Sequence, residues 1–111
     1  PSEHTISQTA LSIDNRGAIP SNVIIAANTT SNDIYITKCK EHKLPIHPAR
    51  MAPAIPEFFI NFLTRPGDIV LDCFAGSNTT GATAEKLGRE WISIELDRDY
   101  YEGSKYRFGR K

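Results

Sequence analysis

The stretch from residue 69 to residue 95 constrains the fold of this chain more than any other. Ile69-Val70-Leu71-Asp72-Cys73-Phe74 is a largely apolar run of strand length. Small residues fill positions 75–81, a helical stretch follows over 80–87, and Gly88 stops it. Residues 90–95, with Trp91, Ile92 and Ile94, read as a second strand ending on Glu95. The order strand, small-residue turn, helix, strand argues for an α/β fold, with a parallel sheet and helices on its faces.

Such an arrangement also suggests chemistry. A strand that feeds a tight turn and then a helix brings backbone N–H groups and a helix N-terminus to one point above the sheet edge, where negative charge or dense acceptors are favoured. Gly76 lets the backbone approach a ligand closely, and Ser77, Asn78, Thr79 and Thr80 offer further polar groups. No lysine precedes the Ser/Thr residues, so the turn is not a P-loop, and it departs from GxGxxG. Glu95 lies 19 positions beyond Gly76. In doubly wound folds an acid at that strand end accepts hydrogen bonds from ribose hydroxyls. Alone, Glu95 reads as an ordinary strand-end acid; with the turn at this distance, it points to an adenosine-bearing ligand with a compact polar tail. A nicotinamide-dependent oxidoreductase domain shares the pattern, although the missing third glycine argues against it.

Upstream of this unit the signals are weaker. Residues 1–17 are polar and without sustained periodicity, and read as a flexible lead-in or the remnant of an upstream segment. Residues 22–27 form an apolar, β-branched run expected to be a short buried strand, and 33–43 are ambiguous between an extended piece and a short helix. A proline-punctuated loop over 47–53 leads to a helix beginning at Ile55, with Pro56 and Glu57 suited to its first turn. Its aromatic face of Phe58, Phe59 and Phe62, together with Trp91, reads as core rather than as base-stacking platforms. Pro66-Gly67 ends that helix, and residues 99–108 read as a closing helix.

Composition narrows the classes. With 111 residues the chain is the size of one small domain, and its 40% hydrophobic residues can supply a core. Thirteen basic and thirteen acidic residues balance to zero, so the basic footprint of a nucleic-acid binder is weak. Two local excesses, at Lys38, Lys40, Lys43 and Arg50 and at Lys105, Arg107, Arg110 and Lys111, read as solvated surface before phosphate contact. Cys39 and Cys73 show no CxxC spacing, so a reduced, cytoplasmic chain is expected. Cys39, His42 and His47 lack a fourth partner, and no metal site is expected. No apolar run approaches the ~20 residues that span a bilayer, and no membrane role is expected.

At this point the chain resembles a known family. Val70-Leu71-Asp72-Cys73-Phe74-Ala75-Gly76-Ser77-Asn78-Thr79-Thr80-Gly81 is similar to the cofactor motif of the DNA N4-cytosine and N6-adenine methyltransferases, usually written VLDPFxGSGTT. His47-Pro48-Ala49-Arg50, with Pro56-Glu57 and the aromatic helix, resembles the HPA-type motif those enzymes place just ahead of it, and Trp91-Ile92-Ser93-Ile94-Glu95, followed by Tyr100, resembles their second-strand motif. The likeness covers residues 18–108. The Ser-Asn-Thr-Thr-Gly variant, with the Ile19-Pro20-Ser21-Asn22 and Asn28-Thr29 stretches, resembles most the N4-cytosine branch of restriction–modification enzymes. Cys73 stands where the family usually has proline, and Asn78 where glycine is common.

The resemblance implies a partial Rossmann-like, class I methyltransferase sheet over residues 18–111, with S-adenosylmethionine as cofactor. Phe74 would pack on the adenine or its ribose. Ala75, Gly76, Ser77, Asn78, Thr79 and Thr80 would line the methionine part. His47, Pro48 and Ala49 would close the pocket near the amino-acid end; Asp72 would hold the ammonium or orient the loop, and Glu95 would take the ribose. These enzymes methylate an exocyclic amine with a Ser/Asp/Asn-Pro-Pro-aromatic loop, and no such tetrapeptide occurs here. No catalytic residue is therefore assigned, and the chain alone is expected not to methylate DNA. The catalytic and target-recognition half would come from another chain or missing sequence, with DNA a partner only of the complete enzyme. An open sheet edge predicts self-association. Two alternatives stand beside this reading: a non-catalytic assembly or binding module that keeps the fold, and a fragment of an adenine-N6 enzyme.

Overall fold

In a computed structural model of the chain, residues 21–27 and 33–109 are described. The lead-in over 1–17, the Ile19-Pro20 and Asn28-Thr29 stretches and the final two basic residues lie outside them. The elements run α1 (Ile34–Glu41), α2 (Ala54–Leu63), β1 (Ile69–Asp72), α3 (Thr79–Lys86), β2 (Glu90–Ser93) and α4 (Arg98–Ser104), closed by a 3₁₀ turn (Lys105–Phe108). The fold is α/β. β1 and β2 are parallel, with Ile69 opposite Glu90 and Asp72 opposite Ser93, and α3 forms the crossover between them.

Helices α1 and α4 start where an aspartate satisfies their first free N–H groups, whereas α2 has no side-chain cap. Asp33 caps α1 by accepting from the Tyr35 N–H, and Asp97 caps α4 by accepting from Asp99 and Tyr100. The ambiguity over 33–43 is thus settled in favour of a helix. Pro56 and Glu57 sit in the first turn of α2 as expected. The buried Arg89 guanidinium joins the end of α2 to the turn before β2: Nε donates to the Thr64 hydroxyl, Nη2 to its carbonyl and Nη1 to the Leu87 carbonyl.

The core sits elsewhere than the aromatic pattern suggested. Tyr35, Ile36 and Cys39 of α1 are buried, with Leu44 and Ile46 packed against them. In α2 the buried residues are Pro56 and Ile60; Phe58 is half-buried, Phe59 is exposed and Phe62 retains 59% of its surface. The expectation that Phe58, Phe59, Phe62 and Trp91 form core is corrected accordingly, since Trp91 too is only half-buried, stacked on Phe108 at 4.6 Å. An amphipathic face reveals that something must cover it, not that the cover is present. Residues 22–27 are corrected as well. They take no regular secondary structure, and Ile25 is 74% exposed. A strand is defined by the ladder it joins, and the described sheet pairs β1 only with β2.

Pleating separates the two sheet faces. Val70, Asp72, Trp91 and Ser93 are half-buried on the side where α3 packs. Ile69, Leu71, Ile92 and Ile94 alternate onto the opposite face and are exposed.

Candidate functional site

The site forms at the carboxyl ends of the two parallel strands. Past β1 the ladder continues briefly: Ile94 N–H donates to the Asp72 carbonyl at 2.9 Å and Ala75 N–H to the Ile94 carbonyl at 3.0 Å. Between these bonds the Asp72 carboxylate accepts from the Phe74 N–H at 3.0 Å, which turns the chain outward. Phe74 is left 92% exposed, a position incompatible with core packing within the described residues. Leu96, the residue after the strand-end acid on the neighbouring strand, is 99% exposed.

Gly76 and Glu95 meet directly. The Gly76 N–H donates to Glu95 Oε2 at 2.7 Å, and Oε1 of the same carboxylate accepts from the Asp97 N–H at 2.9 Å. Gly76 has φ +53°, and a Cβ there would stand 3.1 Å from the His47 ring. The close approach that glycine allows is therefore made by a histidine of the HPA segment. His47 is itself fixed: its N–H donates to the Tyr35 hydroxyl at 3.0 Å, its Nδ1 accepts from Ala49 N–H at 3.2 Å, and Tyr100 packs edge-on at 4.6 Å. Burial pushes the Tyr35 phenol above its ordinary range.

The start of α3 is locked from within. Asn78 takes a left-handed conformation at φ 56°, which explains why glycine is common there in the family that the motif resembles and why asparagine can replace it. Its carboxamide oxygen accepts from Gly81 N–H at 3.0 Å and from the Ser93 hydroxyl at 2.7 Å, capping α3 and tying it to β2. The buried Ser77 and Thr79 hydroxyls stand 3.4 Å apart, and the Thr79 carbonyl accepts from Thr83.

The residues singled out from the sequence thus fall in three places. His47, Gly76 and Glu95 converge, with Pro48 and Ala49 exposed beside His47. Ala75, Asn78 and Glu95 line a cleft of about 390 Å³ that extends along β2 past Trp91 and Tyr101. Asp72 and Thr80 border a different, apolar groove of about 540 Å³ between α2 and β1, and Thr79 lines a small recess with Asp33 and Arg107. Sequence reasoning missed the parts played by Asp33, Tyr35, Leu96 and Arg107. Asp33 had a visible signal, an Asx residue just ahead of a helical run; Arg107 had none, since its partners lie far away in sequence.

Among the described residues no group of three or more His, Cys, Asp or Glu side chains could hold a metal ion, and no helix is long and apolar enough to cross a membrane.

Residues 13–106 match the DNA methylase family N6_N4_Mtase. The chain is 46% identical over 108 residues, 97% of its length, to the type II methyltransferase M.PvuII of Proteus hauseri. It is 36% identical over 75 residues, 68% of its length, to the type II methyltransferase M2.LlaDCHI of Lactococcus lactis subsp. cremoris. It spans 32% and 28% of the lengths of these two relatives. Among solved structures, the cytosine-N4-specific PvuII DNA methyltransferase superposes with a TM-score of 0.76 at 47% identity, over 81% of this chain and 32% of that one. The M1.HpyAVI–SAM complex does so with a TM-score of 0.62 at 29% identity, over 84% of this chain and 43% of that one. The parallel pair and its flanking helices are thus part of a class I methyltransferase fold. By its matched length, motifs and fold, the chain belongs to the N6/N4 DNA methylase family.

Proposed function

We propose that this chain is the S-adenosylmethionine-binding portion of a cytosine-N4 DNA methyltransferase of a restriction–modification system. The observation that carries the reading is the meeting of Gly76, Glu95 and His47 at the strand ends, in a chain so similar to a cytosine-N4-specific enzyme. The residues present suit the cofactor. Glu95 retains lone pairs beyond the two N–H groups it holds, enough to accept ribose hydroxyls. Phe74 and Leu96, both almost fully exposed, offer apolar faces to a purine ring. Asp72 orients the loop through Phe74, and Ser77 and Thr79 stiffen it from behind. Once bound, the sulfonium supplies an electrophilic methyl group; the part of this chain is to hold and orient it.

Methyl transfer requires groups that accept the protons of the target amine, and the Ser/Asp/Asn-Pro-Pro-aromatic motif is not among these 111 residues. The reading is therefore that transfer to DNA needs a second polypeptide segment carrying that motif and the target recognition. The exposed sheet face and the groove along α2 are suited to receive it, or a second copy of this chain. A cytoplasmic location accords with this role.

Calorimetric titration of the chain with S-adenosylhomocysteine tests the reading. Saturable binding at one site is expected, and a folded sample that shows none would overturn it. Addition of a polypeptide bearing the catalytic motif is then expected to restore methylation of cytosine, with adenine labelling pointing instead to the N6 branch. The same exposed face favours a second reading, a non-catalytic assembly module; a stable complex that leaves cofactor unbound would select it.

A further inference from the structure

Arg107 lies in the 3₁₀ turn at the far end of the described chain, 30 residues from Ser77 and 74 from Asp33. From the sequence, Arg107 reads with Lys105, Arg110 and Lys111 as solvated surface; its side chain is instead only 10% exposed. Each guanidinium nitrogen has a partner. Nε donates to the Ser77 carbonyl, Nη2 to the Ser77 hydroxyl at 3.1 Å, and Nη1 to Asp33 Oδ2 at 2.9 Å. The ring of Tyr35 lies against the guanidinium at 4.7 Å. Asp33 is held in turn, because its other oxygen caps α1 through the Tyr35 N–H.

We propose that Arg107 is a positioning residue for the cofactor turn: by gripping the carbonyl and the hydroxyl of Ser77 together, it holds Gly76 and Ser77 in the shape that binds cofactor without touching the ligand itself. The proposal rests on the cofactor-binding reading above. Its physical basis is the planar fork of arginine. Two acceptors on one residue fix both the position and the rotation of the peptide, and a third contact anchors the fork to α1. Gly76 is the residue before Ser77; its N–H is held by Glu95, and the His47 ring lies where a Cβ on Gly76 would point. The turn is therefore gripped on consecutive residues by hydrogen bonds from two distant segments, with His47 of a third lying beside it. Tyr35 completes the link, since its ring packs on Arg107 while its hydroxyl accepts from the His47 N–H.

The test compares Arg107→Lys, Ser77→Ala and Asp33→Asn with the unmodified chain in two measurements. The first is amide hydrogen exchange at residues 76–79 without cofactor; the second is the affinity for S-adenosylhomocysteine. Lysine keeps a charge for Asp33 but cannot hold both Ser77 acceptors in one plane. Arg107→Lys is expected to speed exchange in the turn and to weaken binding about tenfold. Ser77→Ala, which leaves the carbonyl bond, is expected to do the same to a smaller degree, and the double variant to show less than the sum of the two. Asp33→Asn is expected to lower the melting temperature while changing affinity by about twofold at most. Equal losses of affinity in Asp33→Asn and Arg107→Lys at equal melting temperature would reduce Arg107 to general stability and overturn the proposal. So would unchanged exchange in the turn, or unchanged affinity in a folded Arg107→Lys. Should that variant fail to fold, Ser77→Ala decides by the same two measurements. An unmodified chain that binds no S-adenosylhomocysteine removes the cofactor reading instead, a result distinct from any difference among variants.

Discussion

The carboxyl end of β1 and the apolar surface along the strand belong to differently finished parts of the molecule. At its carboxyl end the turn is closed by polar bonds: Ser77, Asn78 and Thr79 are buried, and Glu95, Arg107 and Ser93 reach Gly76, Ser77 and Asn78 respectively from distant positions. Along its length and on the neighbouring face of α2, by contrast, Ile69, Leu71, Phe59, Phe62 and Leu63 remain exposed. Among the described residues no buried side-chain N or O atom lacks a partner. The polar network is complete within this chain, whereas the apolar surface is not. Directional bonds can be satisfied by a few well-placed residues, but covering a sheet face requires another layer of structure. Burying the exposed remainder of each such side chain would contribute about 1–2 kcal/mol, a drive toward whatever covers this face.

The contrast can be broken most severely at Gly76. Valine there must adopt a left-handed backbone and push against the His47 ring, at a strain of about 1–3 kcal/mol. Its affinity for S-adenosylhomocysteine, read by calorimetry, is expected to fall by up to about a hundredfold. Affinity within twofold of the unmodified chain would show that the turn is not tightly fitted.

Asn78 offers a sharper, smaller test. Asn78→Ala removes the α3 cap and places a Cβ-bearing residue without a polar side chain at φ 56°, costing about 2 kcal/mol in urea unfolding when the cap and the left-handed backbone are combined. Asn78→Gly relieves the backbone part and is expected to cost less than half as much. Equal losses would mean that the conformation carries no strain.

On the apolar side, Phe62→Glu should change the stability of the monomer by no more than about 0.5 kcal/mol, whereas removal of a core phenylalanine costs about 3–5 kcal/mol. If this face carries the proposed self-association, sedimentation velocity is expected to show Phe62→Glu weakening it. A large loss of monomer stability would transfer this residue to the core and dissolve the contrast.

The mildest probe is chemical. Cys73 is exposed beside the turn and Cys39 is buried, its thiol pushed above the ordinary range by burial. A thiol reagent at mildly alkaline pH should label Cys73 rapidly and Cys39 only after denaturant is added. Rapid labelling of both in native buffer would show that the α1 core is open.

What could be read from the sequence follows the range of the forces involved. The unit from Ile69 to Glu95 was legible because strand length, turn chemistry and helix stop are local, and because the spacing of Gly76 and Glu95 brought them within hydrogen-bond reach. Cofactor selection was suggested by motif resemblance and not by spacing alone, which also fitted a dinucleotide. The run over 22–27 misled because β-branched composition describes a willing strand without specifying its neighbour. Phe59 and Phe62 misled for a related reason: periodicity identifies a face, and burial is decided by what lies across from it. Arg107 was illegible because no pattern within a few residues of it refers to Ser77 or Asp33.

The bond from Gly76 to Glu95 acts as a buckle across the ends of β1 and β2. Spreading the two strands by even the width of a water molecule undoes it, so the mouth of the site and the pairing of the sheet cannot vary independently. A ligand seated on that carboxylate would therefore clamp the strands together, and the slowing of exchange at the Ile94 amide, which bonds to the Asp72 carbonyl one rung below, would report occupancy from inside the sheet.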